Sequence, residues 1–218
     1  MNKPFAVFDM DGTLVDSMVY WQRLGREYLA SRGVTEGVDE VLEHIKAMTM
    51  AESSALFIET FGLPGTPETV EAEMNAVMDE HYRSDIPLKP GAADYLAALK
   101  ARGTKMCVAT ATPEPLARAC LERLGVLEDF AFLLSCDEVA AGKDKPDVFF
   151  EAARRLGSAP AETAAFEDAL FAARTAKDAG FYTVGVYDAS GDGHWNELTA
   201  LADETVRDWK AAAEMIKT

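Results

Sequence analysis

Histidine and cysteine are both scarce in this chain, with three of each in 218 residues. His44, His81 and His194 have no spacing that would bring them to one metal or into a catalytic triad. Cys107, Cys120 and Cys136 are odd in number and lack the short pairings of zinc ligands. The expectation is therefore free thiols, buried or partly buried, in a reducing cytoplasm, not a disulfide framework. Apolar runs are short, and none approaches the ~20 residues that a bilayer requires. The first strand signal begins by residue 5, which leaves no room for the apolar segment of a secretory leader ahead of it. Positive charge is the largest deficit: 21 Lys and Arg stand against 37 Asp and Glu, a net charge of −16. That balance argues against a nucleic-acid polymer or an anionic membrane as partner. It also repels small anions at long range, so any anion the chain binds needs positive charge supplied locally.

What remains is a well-mixed globular composition, 49% hydrophobic and 27% charged, long enough to bury a full core. The stretch that organises it is Phe5-Ala6-Val7-Phe8-Asp9-Met10-Asp11-Gly12-Thr13. Four apolar residues in a row read as a buried parallel strand. Asp9 and Asp11 follow it, placed by the period of two on one side of the strand's carboxyl edge, where open α/β sheets hold their ligands. Two such carboxylates repel and call for a cation, a proton or both.

From Ser17 to about Pro87 the pattern is helical. Ser17 can cap a helix to Ser31, a second helix covers Val38 to Met48, and a third opens at Thr49 or Met50 and ends at Phe61. A fourth starts at Thr66-Pro67-Glu68, with Met74, Val77, Met78 and Tyr82 at helical spacing. Beyond Leu88-Lys89-Pro90-Gly91 strands and helices alternate. Strands are expected at Lys105–Thr110, Phe132–Ser135, Thr163–Glu167 and Tyr182–Val186, with a short one at Glu204–Val206 between two tail helices. Right-handed crossovers then give a parallel sheet. The reading is a discontinuous α/β core, residues 1–15 and 88–218, with a helical cap inserted at 16–87 and joined by two crossings, as a hinged lid requires.

Asp-x-Asp-Gly-Thr after an apolar first strand, Thr110 ending the second, a lysine before a Pro-Asp helix start in Gly142-Lys143-Asp144-Lys145-Pro146-Asp147, and Phe166-Glu167-Asp168 ending the fourth resemble, in order, the four motifs of the haloacid dehalogenase-like superfamily. The resemblance implies a Rossmann-like parallel sheet and a Mg²⁺-dependent phosphatase that forms an aspartyl-phosphate. Asp9 would be the nucleophile and Asp11 the general acid and base. Thr110 and Ala111 would bind phosphate. Lys143, with Lys145 as its competitor, would be the catalytic cation. Mg²⁺ would be held by the carboxylates of Asp9 and Asp168, the Asp11 carbonyl, and Glu167 directly or through water. The chain departs from the pattern at Ala169 and Ala172, where relatives carry Ser and Gly.

A small phosphorylated metabolite is the expected partner, in a cytoplasmic monomer. Two alternatives stand beside the phosphatase: a β-phosphoglucomutase-like sugar-phosphate mutase and a non-catalytic phosphosugar-binding protein. The mutase carries a His where this chain has Trp21 and an Arg where it has Met50, so these two positions are the candidates for substrate specificity. Trp21 and its neighbour Tyr20 can equally be lid packing.

Overall fold

The computed structural model describes residues 2–45, 48 and 50–217. In chain order the elements are β1 (Phe5–Phe8), α1 (Met18–Ser31), α2 (Val38–His44), α3 (Met50–Phe61), α4 (Pro67–Ser84), α5 (Ala92–Ala101), β2 (Lys105–Thr110), α6 (Glu114–Arg123) and β3 (Leu133–Ser135). There follow α7 (Cys136–Val139), α8 (Asp147–Leu156), β4 (Thr163–Glu167), α9 (Leu170–Asp178), β5 (Tyr182–Val186), α10 (Trp195–Leu201), β6 (Glu204–Val206) and α11 (Trp209–Lys217). The expected run of the second helix through Lys46 and Ala47, and an opening of the third at Thr49, lie outside the described residues.

All five strand pairings are parallel, and the order across the sheet is β3-β2-β1-β4-β5-β6. The chain leaves β1 toward β2 and β3, then returns to the other side of β1 to lay down β4. The switch of direction falls between β1 and β4, and a crevice opens at their carboxyl ends. Each face of the sheet is covered, which is why its strands read as near-continuous apolar runs. On one face Val7, Cys107, Ala109, Leu134 and Ala165 pack against Val148, Phe149 and Ala152 of α8. On the other, Phe8 stacks on Phe166 at 4.2 Å between ring centroids, and Tyr95 of α5 and Trp209 of α11 close over Phe166. Phe8 and Phe166 are fully buried; truncating either to Ala costs about 3–5 kcal/mol. The three cysteines are free and buried.

The chain divides into two compact units, 1–18 with 86–218, and 19–85. These limits lie two or three residues inside the cap limits drawn from the sequence, for a local reason. Residues 14–16 and 87–89 run side by side, with an antiparallel bridge Val15–Leu88, Asp16 N–H on the Pro87 carbonyl (2.9 Å) and Lys89 N–H on the Leu14 carbonyl (2.8 Å). The two crossing segments are thus stapled to each other within the sheet-containing unit.

The helical unit is built on α1 to α4. Leu24, Tyr28 and Leu29 are buried from α1, and Val70, Met74, Met78 and Tyr82 from α4, on a helical repeat. Thr66 caps α4 by accepting the Thr69 N–H, with Pro67 at the first helical position. Tyr28 Oη donates to Glu73 Oε2 (2.6 Å), a polar link between α1 and α4.

Candidate active site

The site is built from three returns of the chain to the carboxyl edge of the sheet. Asp9 follows β1 directly, and its backbone N–H still donates to the Phe166 carbonyl of β4 (3.0 Å), so the residue is held in register. Its carboxylate accepts from Lys143 Nζ, which comes from the loop between α7 and α8. The same ammonium donates to Glu167 Oε1 at the end of β4 (2.9 Å). Asp9, Lys143 and Glu167 are all nearly inaccessible, at 7%, 7% and 1% exposure. Lys145, by contrast, is exposed.

Asp168 follows β4. It does not cap α9, whose N-cap is Ala169 without a side-chain bond. It turns instead toward the Asp9 loop, where Thr13 Oγ1 donates to its Oδ1 (3.3 Å). Gly12 makes this approach possible. Its φ is +76°, and a Cβ there would lie 2.2 Å from Asp168 Oδ2. The turn is braced from behind by Trp209, whose Nε1–H donates to the Thr13 carbonyl (3.1 Å).

Asp11 lies beyond the paired part of β1. Pairing of β1 ends at Phe8, and the backbone then folds into a turn in which the Leu14 and Val15 N–H groups both meet the Met10 carbonyl. The Asp11 carboxylate is therefore carried by that turn. Ser17 Oγ donates to its Oδ1 and Thr112 Oγ1 to its Oδ2, each at 2.7 Å. Ser17, read from sequence as a helix cap, directs its hydroxyl to Asp11. Thr110 is fully buried at the end of β2, and its Oγ1 accepts the Thr112 N–H (3.0 Å), while Ala111 between them is exposed. Trp21 and Met50 belong to the helical unit, where Trp21 Nε1–H donates to Tyr82 Oη (3.2 Å) and Met50 opens α3.

Thr112 and the partner role of Ser17 were missed in the sequence reading. The alternation Thr110-Ala111-Thr112 was the available signal, and it does not say which hydroxyl reaches which carboxylate. A buried ion pair of Lys89 with Asp188 (2.7 Å), beside Asp168, was missed as well.

Electrostatically the cluster is short of positive charge. Burial raises the Asp9 carboxyl, against the pull of Lys143, and the charge of Asp11 adds to the rise. Burial lifts Glu167 well above the ordinary carboxylate range. Asp168 is pushed up to about 7, by burial first and then by the charge of Asp9. Lys143 moves further upward although burial opposes its charge, because Asp9 and Glu167 both face it. One carboxylate oxygen from each of Asp9, Glu167 and Asp168 lies within 4.8 Å of the others. Three hard oxygen donors facing one ammonium suit a divalent cation of the Mg²⁺ or Ca²⁺ kind.

The profile of haloacid dehalogenase-like hydrolases matches residues 5–180. The chain belongs to the haloacid dehalogenase-like hydrolase family. As such it is an enzyme, and phosphatases stand among its relatives. It is 30% identical over 197 residues to the β-phosphoglucomutase of Bacillus subtilis, covering 83% of this chain and 82% of that one. It is equally 30% identical over 204 residues to the phosphoglycolate phosphatase of Shigella dysenteriae, covering 83% and 80%. The structure of a Thermotoga maritima protein provisionally named a β-phosphoglucomutase superposes with a TM-score of 0.81 at 24% identity, covering 98% of each chain. That last likeness concerns the fold, and it agrees with the six-stranded parallel sheet and surrounding helices seen here. Among the described residues, no helix of this hydrolase is long and apolar enough to cross a membrane.

Proposed function

We propose that this hydrolase is a Mg²⁺-dependent phosphatase of small phosphorylated metabolites, working through an aspartyl-phosphate on Asp9. The observation that carries the reading is the Lys143 ammonium between Asp9 and Glu167, with Asp168 completing an acidic cluster at the β1/β4 switch point. Asp9 is the nucleophile: it needs no base, only relief of charge as an anion approaches. Lys143 orients Asp9 and offsets charge on the phosphoryl oxygens. The Thr110 hydroxyl and the Ala111 backbone bind phosphate. Asp11 protonates the leaving oxygen and then takes a proton from the water that hydrolyses the intermediate.

Mg²⁺ would be held by the carboxylates of Asp9 and Asp168, the Asp11 carbonyl, and Glu167 directly or through water. When bound it supplies the positive charge that the −16 chain lacks toward a phosphate. The helical unit serves as the cap, with Trp21 and Met50 contributing to the choice of substrate.

The test is phosphate release from para-nitrophenyl phosphate and from a panel of phosphorylated metabolites, with Mg²⁺ and with chelator. Turnover is expected to require the cation and to fall by about 10³-fold or more in Asp9→Asn. Undiminished hydrolysis by that variant removes Asp9 from its role, and absence of turnover in wild type favours a binding protein. The B. subtilis relative supports a second reading, a sugar-phosphate mutase. Trp21 and Met50, in place of a His and a phosphate-gripping Arg, weigh against it. Conversion of glucose 1-phosphate to the 6-phosphate would establish it.

A further inference from the structure

We infer that Thr112 is a positioning residue for Asp11: its hydroxyl fixes the carboxyl group that delivers the proton to the departing oxygen. The inference rests on the phosphatase reading above and assigns work to a side chain outside the four motifs. Thr112 is buried at 7% exposure, two residues past the end of β2. Its own backbone N–H is tied to the Thr110 hydroxyl (3.0 Å), which anchors it to the central sheet. From there Oγ1 reaches across to Asp11 Oδ2 at 2.7 Å, while Ser17 holds Oδ1 from the other side. A carboxylate gripped at both oxygens cannot rotate about its last bond, so its remaining lone pairs point in fixed directions.

A hydroxyl also suits a group that changes protonation state in each cycle. It donates to the ionised form and can rotate to accept from the acid, so the contact survives both halves of turnover. In the first half an Asp9 oxygen bonds to phosphorus while the P–O bond to the leaving group breaks. That electron pair stays on the leaving oxygen, which takes the Asp11 proton. In the second half water attacks phosphorus, its proton passes to Asp11, and Asp9 and phosphate are freed. A misdirected Asp11 impairs the first half only in so far as the leaving oxygen needs a proton.

This dependence gives a readout that a merely structural residue would not move. Thr112→Val keeps the shape and removes the hydroxyl, and Thr112→Ser keeps the hydroxyl. The substrates are aryl phosphates of similar size and graded leaving ability, from para-nitrophenyl to phenyl to para-methoxyphenyl phosphate, assayed as kcat/KM on the full chain with Mg²⁺. In Thr112→Val the loss is expected to grow along the series to about 10²-fold for the poorest leaving groups, and to stay within about 3-fold for para-nitrophenyl phosphate. Thr112→Ser should restore the wild-type profile. Thr112→Ala provides a second hydroxyl-free variant should the valine disturb folding, and its slope should match. An equal loss across the series, or none, overturns the inference while leaving the phosphatase standing. Wild type without Asp9-dependent hydrolysis of any of these esters overturns both.

Discussion

His81, in α4, faces a carboxylate at each ring nitrogen: Nδ1 lies 2.9 Å from Asp85 Oδ1 and Nε2 lies 3.1 Å from Glu27 Oε2 of α1. The Tyr20 ring closes over it at 4.8 Å. Burial alone would lower its pKa, but the two carboxylates outweigh burial and the net shift is upward from 6.5. The native state therefore keeps a proton that the unfolded chain gives up. The stability this contributes is complete below 6.5 and is lost as pH rises through the higher folded value. Thermal unfolding of wild type and His81→Gln between about pH 6 and pH 9 should show a gap in melting temperature at the acid end that closes at the alkaline end. A gap independent of pH would mean that His81 contributes packing only. The histidine could not be read from sequence, because one of its partners lies 54 residues away. Thr112 escaped for the same reason, since the Asp11 it serves is 101 residues distant. Lys143 could be nominated with Lys145, because a lysine ahead of a Pro-Asp helix start is a local pattern, but its contacts with Asp9 and Glu167 are not local.

At the scale of elements, the turn between β1 and α1 decides whether Asp168 can approach Asp9. Gly12→Ala adds a Cβ on a left-handed backbone and 2.2 Å from a carboxylate oxygen. Gly33→Ala, at a similar φ of +78° with nothing within 4 Å, imposes the backbone strain alone. Denaturant midpoints should place Gly33→Ala about 1 kcal/mol below wild type. Gly12→Ala should cost more and should also lose metal-dependent turnover, which Gly33→Ala keeps. Equal effects of the two would show that the Gly12–Asp168 contact is irrelevant. The strands themselves were legible because both faces of the sheet are covered, so burial writes each strand as an unbroken apolar run. Their order was not, because nothing local in Thr163–Glu167 says that it lies beside Phe5–Phe8.

At the scale of the whole molecule, the carboxylate cluster of Asp9, Glu167 and Asp168 couples stability to pH. Asp168 rises from 3.8 to about 7, and Glu167 is raised too. Raised carboxyls keep protons in the native state, so their contribution is present at low pH and lost as pH climbs from near 4 through 7. A divalent cation held by these carboxylates would take the place of those protons. Adding millimolar Mg²⁺ is therefore expected to raise the melting temperature, by more at about pH 8 than at about pH 5, and chelator should reverse the gain. Identical shifts at the two pH values, or none, would place the cation elsewhere or nowhere.

The strand that leads into Asp9 leaves the ribosome well before its neighbours, which begin at Lys105 and Thr163. While the intervening chain is being made, Phe5–Phe8 is a bare apolar edge with no mate, the kind of segment that other nascent chains can capture. Completion of the Asp9, Lys143 and Glu167 cluster is thus deferred until β4 has emerged, and a truncated product would carry Asp9 without these partners.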